Sequence, residues 1–200
     1  MNHGSKDLGE IASENADYIN FTIKNYNFKE GVSYRPYDTP ALLGKFELMG
    51  PIGRPLMPNL DGVNIAFAAG TGTLTFMDFV AALARFNLGT DPTVKIGKNF
   101  KFVFFASFQE RAESLGVELC EALHTYCQNN GIQNFELVLR LSKEKLNAAR
   151  WNDSFVKETL KQYNPKKVWV CGPPVMSEVF ERYLFDLPLS ERQHFEMEIL

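Results

Sequence analysis

The chain has little of what builds metal centres or disulfide frameworks: three cysteines and three histidines in 200 residues. His3, His124 and His194 are scattered, and no two make a zinc pair. Cys120, Cys127 and Cys171 have no metal-ligand spacing; Cys120 and Cys127 fall seven apart on one face of a helical pattern. They read as reduced core thiols, which points to an intracellular, reducing compartment. There is no excess of positive charge. The net charge is −3 and the pI about 5.7, so a nucleic acid is a poor partner. No apolar run is long enough to span a bilayer, and the polar start lacks a signal-peptide core. Low-complexity tracts and internal repeats are absent too. What is present, 45% hydrophobic and 22% charged residues, suits a globular domain with a substantial core.

Residues 1–17 are expected to be flexible. The alternating segment 18–24 and the segment 45–49 each predict a strand, separated by a loop with Pro36 and Pro40. Gly50-Pro51-Ile52-Gly53 then breaks the pattern, and a boundary is expected near 51–61. This divides the chain into 1–17, a β-rich 18–58 and a main domain 59–200.

From Gly62 onward, apolar runs alternate with helical periodicity. Strands are expected at Val63–Ala68, Phe100–Ala106, Phe135–Leu141, Lys167–Cys171 and, at an edge, Phe195–Leu200. Helices are expected at Leu74–Phe86, Glu110–Asn129, Asp153–Tyr163 with Asp153 as N-cap, and Val175–Leu184. Such alternation implies an α/β fold: a doubly wound, parallel, five-stranded sheet with helices on both faces.

Two strand ends carry unusual sequence. Ala69-Gly70-Thr71-Gly72-Thr73 joins a buried strand to a helix, and glycine is needed where backbone must approach phosphate or take positive φ. It is not the GxGxxG fingerprint, and alone it is equally well a tight turn without a ligand. Cys171-Gly172-Pro173-Pro174-Val175-Met176 follows the fourth strand as a stiff, pre-shaped loop. Ligands of open parallel sheets sit at the carboxyl ends of strands, so the two loops together define one crevice.

In order and spacing, about a hundred residues apart, these loops resemble the AGTGxxxF/PM and CGPPxM signatures of the ferredoxin-reductase superfamily, in its cytochrome b5 reductase branch. Weaker collinear likenesses are Phe105–Arg111 to the FANQTEKD segment, Trp151 with Phe155-Val156 to the third βα loop, and Gly31-Val32-Ser33 to the flavin-pyrophosphate loop. Gly44–Gly53 resembles the strand and GPxG that close the flavin barrel. Phe76 stands where the family usually has proline. The first four barrel strands and the RxYS/T motif have no counterpart, so 18–58 resembles a short remnant of an antiparallel β-barrel flavin domain.

The resemblance implies an NAD(P)H-binding part of a flavoprotein reductase, passing hydride from NADH to FAD and then electrons to a haem-protein acceptor. Gly70, Thr71, Gly72 and Thr73 would cradle the pyrophosphate and nicotinamide end. Cys171, the implied catalytic residue, would with Gly172 face the nicotinamide; its role is placement, with no neighbouring base to make it a nucleophile. Pro173, Pro174 and Met176 would wall the adenosine side, and Ser107, Phe108 and Gln109 would meet the ribose. Gly31, Val32 and Ser33 would meet the flavin pyrophosphate, with FAD retained weakly or not at all, since two strands cannot close a barrel. Family habit favours NADH. Ala112 stands where an acid would repel a 2′-phosphate, and the preceding Arg111 could accept one. The implied partners are the missing flavin-domain sequence or a partner chain, engaging the Phe21, Ile23, Phe46 and Leu48 face, and the haem protein. The alternative is a non-catalytic scaffold that keeps the fold without a flavin site. Lys143–Lys145 and Lys166–Lys167 are expected to solvate the surface.

Overall fold

The computed structural model describes residues 55–147 and 149–200. The two strands expected upstream, and Gly31, Val32 and Ser33, lie outside the described residues. Pro58–Leu200 belongs to one compact unit.

Five strands, β1 (Val63–Ala69), β2 (Lys101–Phe108), β3 (Phe135–Leu141), β4 (Lys167–Cys171) and β5 (Glu196–Ile199), form one sheet in the order β3-β2-β1-β4-β5. Every pairing is parallel. The expected doubly wound α/β sheet is therefore the observed one. The chain builds outward from β1 through β2 to β3, then returns to lay β4 on the other side of β1. The winding direction reverses between β1 and β4, which makes that boundary the topological switch point.

The helices are α1 (Met77–Asn87), α2 (Val117–Asn129), α3 (Asp153–Tyr163), α4 (Pro174–Phe185) and the short α5 (Leu189–Arg192). Strand register sorts the core into two layers. Ile65, Val103 and Val168 align across the sheet, as do Phe67, Phe105 and Val170, and this face packs against Val156 and Leu160 of α3 and Phe180 and Leu184 of α4. Trp151 closes the layer, its ring 5.6 Å from Phe67 and 6.3 Å from Phe105. The other face carries Ala66, Phe104 and Trp169 in register. Small alanines there leave room for Phe76, fully buried, 5.4 Å from Phe104 and 6.0 Å from Trp169. Each such buried aromatic contributes on the order of 2–3 kcal/mol from area alone. Phe76 is thus a plug that pins the turn after β1 onto the sheet.

Four expectations need correction. The helix expected from Leu74 begins as a 3-10 segment, Gly70–Phe76, and becomes α-helical at Met77. The long helix expected over Glu110–Asn129 is broken: a 3-10 turn covers Arg111–Glu113, and α2 starts only after Gly116, whose φ of 74° cannot continue a helix. The positive φ is what calls for glycine at 116, and an added Cβ would also have to displace the Met77 side chain of α1. The cap of α3 is Asn152, whose side chain accepts a 2.9 Å bond from the Phe155 amide, and not Asp153. Lys167 is buried rather than solvating; its ammonium lies 3.2 Å from both Glu196 and Glu198 of β5, while Trp169 donates to Glu198 at 2.8 Å. The edge strand is thereby fastened by side chains as well as by its ladder. His124 is satisfied, accepting from the Leu137 amide at 3.3 Å.

Candidate functional site

The carboxyl ends of β1 and β4 are adjacent, because Ala68 pairs with Cys171 in register. From them rise the turn Gly70–Thr73 and the loop Cys171–Pro173, and the two interlock. A Cβ built on Gly72 would overlap the Cys171 carbonyl oxygen and come within 2.7 Å of its carbon. A Cβ on Gly172 would come within 2.8 Å of Met176 Sδ and 3.3 Å of Ala69 Cβ. Both glycines are therefore needed for loop-on-loop contact. Gly70 differs: its φ is 56°, and an added Cβ would meet nothing within 4 Å. Its glycine is conformational, and the space over it is open. The turn therefore leaves its backbone open to a close approach from outside.

Thr73 turns inward; its hydroxyl donates 2.7 Å to the Gly70 carbonyl and its side chain is buried. It shapes the turn from beneath. No side chain caps the segment that begins at Gly70. Thr71 is half-buried, and Pro173 and Pro174 are exposed on the far wall. Pro174 opens α4 at its first turn, where a missing N–H costs nothing. Met176 packs toward the core beneath the loop.

Ser107, Phe108 and Gln109 reach the same edge, Ser107 being the register partner of Ala69. Phe108 is core, and Gln109 is exposed. Arg140 of β3 donates 2.9 Å to the Ser107 hydroxyl and, through Nε, 2.9 Å to the Ala149 carbonyl. Burial, and then the charge of Arg150, lower the Arg140 guanidinium from its ordinary value. Sequence reasoning missed Arg140, since nothing local signals a side chain reaching from β3 to β2. Arg111, by contrast, is turned to Glu121 in a two-point pair at 2.8 and 2.9 Å. Lys143 pairs with Glu110 at 2.6 Å, and its amide donates to the Gln109 carbonyl at 2.8 Å. The loops after β2 and β3 are laced into one ledge.

Cys171 is the half-exposed thiol of the three; Cys120 and Cys127 are buried in α2. Its Sγ lies 3.5 Å from the Thr75 hydroxyl, 96 residues away in sequence. Two concavities, of about 470 Å³ beside Leu160, Leu187 and Phe195 and about 350 Å³ beside Phe100 and Asn134, open at the amino ends of strands, away from this crevice. Among the described residues, no helix is long and apolar enough to cross a membrane.

No protein-family model and no curated protein matches the chain. Solved structures similar to it include ferredoxin-NADP+ reductase from Plasmodium falciparum, at 15% identity and TM-score 0.47, over 76% of this chain and 60% of that one. The same enzyme with 2'P-AMP matches at 13% identity and TM-score 0.49, over 74% of this chain and 57% of that one. The cytochrome b5 reductase domain of Ulva prolifera nitrate reductase matches at 18% identity and TM-score 0.46, over 74% and 58%. The chain spans about six-tenths of the length of those reductases.

Proposed function

We propose that this chain is the nicotinamide-nucleotide-binding part of a flavin-dependent oxidoreductase, with NADH as hydride donor. One observation carries the reading. At the switch point of a parallel sheet, an open glycine turn and a cysteine-bearing loop are locked together by close contacts at Gly72 and Gly172. A bound nicotinamide cofactor would supply the hydride chemistry. The chain's own part is to bind and orient. The Gly70 turn admits pyrophosphate to the backbone, Thr73 holds that turn in shape, and Cys171 and Gly172 form the surface against which the nicotinamide would lie. Ser107 and Gln109 would lie beside the ribose.

The domain division 1–17, 18–58 and 59–200 belongs to the same proposal, with the flavin partly held by Gly31, Val32 and Ser33 and completed by further sequence or a partner chain. The acceptor is proposed to be a haem protein. The Arg140 guanidinium, 2.9 Å from Ser107, supports a second reading for the donor: were the ribose to lie at Ser107, an arginine beside it would accommodate a 2′-phosphate, and NADPH would bind at least as well as NADH.

Calorimetric titration of the full chain with NADH and NADPH, with and without FAD, tests both. NADH binding is expected, weakened on Gly70→Ala. Bound flavin that bleaches on NADH addition would establish turnover. Failure of both nucleotides to bind would overturn the reading and leave a scaffold with inherited loops.

A further inference from the structure

Thr75 falls at an unspecified position of the first signature, two residues past Thr73, and its side chain ends at the thiol of Cys171. The contact crosses the switch point, from the 3-10 segment after β1 to the end of β4, at 3.5 Å between Oγ1 and Sγ. A cysteine Sγ has one rotatable bond, and where backbone is fixed the rotamer alone decides where the sulfur points. The backbone here is fixed. Gly72 abuts the Cys171 carbonyl, and the Leu200 amide donates 2.9 Å to the Val170 carbonyl just before it. Thr75 is exposed, but its backbone is anchored, because Phe76 next to it is fully buried among Phe104 and Trp169. A β-branched side chain on an anchored backbone thus brings its hydroxyl to a sulfur with a single remaining freedom.

We propose that Thr75 is a positioning residue, holding the Cys171 thiol in one rotamer on the floor of the crevice. The functional half of this statement, that the rotamer presents sulfur to a nicotinamide, rests on the reading above. The positional half does not. The hydroxyl–thiol contact removes a competing orientation in which the sulfur swings toward solvent.

The test uses the folded full chain and iodoacetamide as probe, with the labelling rate of Cys171 followed by peptide mass spectrometry. Thr75→Val keeps the shape and removes the hydroxyl; Thr75→Ser keeps the hydroxyl. Valine is expected to raise the Cys171 labelling rate severalfold with an unchanged melting temperature, and serine to restore the wild-type rate. A Thr75→Val rate equal to or below wild type overturns the proposal, as does a serine variant that behaves like valine. A parallel arm adds NADH to the wild type. Protection of Cys171 supports the placement of nucleotide over the thiol. Lack of protection overturns the nucleotide reading and the functional half of the proposal, whatever the valine rate shows.

Discussion

A methyl group at position 72 has nowhere to go: the Cys171 carbonyl already occupies its place. Gly72→Ala is expected to cost about 1–3 kcal/mol through overpacking, read as a lower urea midpoint. Gly70→Ala meets open space, so its cost is left-handed strain alone, about 1–2 kcal/mol, and its larger effect should be on nucleotide affinity. The pair separates a glycine needed for packing from one needed for the cradle. Thiols separate in the same way. Burial, with Glu121 adding, pushes Cys120 far above the usual thiol range. Burial pushes Cys127 up to about 11 against an opposing hydrogen bond from Asn87. At pH 8 roughly one Cys127 in a thousand is thiolate, so native-state alkylation should mark Cys171 and spare both helix thiols.

At the scale of elements, the cap of α3 offers a direct check. Asn152→Ala removes the bond to the Phe155 amide and should cost about 1 kcal/mol in chemical denaturation, whereas Asp153→Asn should cost little. The junction of β2, β3 and α3 carries a pH dependence. Burial would raise the Glu136 carboxyl, but the Lys101 ammonium at 2.6 Å and the Tyr163 hydroxyl at 2.7 Å outweigh it and hold the group below its ordinary value. A depressed carboxyl stabilises the fold fully above its unfolded value, about 4.3, and that stabilisation is lost as pH falls through the folded value. Urea midpoints should therefore fall more steeply on acidification in the wild type than in Glu136→Gln.

Elements whose determinants are local were legible. The apolar runs of β1, β3 and β4 and the period of α3 are properties of contiguous sequence, and so are the two loops. What failed to show depends on partners far along the chain. Gly116 interrupts a helical pattern with a left-handed backbone packed against Met77; Lys167 is drawn inward by carboxylates on β5; Arg140 bonds Ser107 on the neighbouring strand. Thr75 carried no signal at all, because its meaning comes from a sulfur 96 residues away.

For the whole molecule, ligand linkage gives the broadest prediction. If NADH binds the native crevice alone, a hundredfold excess over its Kd should add about 2.7 kcal/mol to stability, read as a concentration-dependent rise in melting temperature. Gly70→Ala should blunt that rise more than Asn152→Ala, although both lower the starting point.

The return of β4 to the side of β1 also sets a schedule. During synthesis the glycine turn emerges early, and β1, β2 and β3 can pair with one another while the chain is still growing. Yet the wall facing that turn does not exist until Cys171 and Gly172 have been made and β4 has docked. Most of the sheet can thus be made before the crevice has its second wall, so whatever the crevice takes could be held only once β4 is in place.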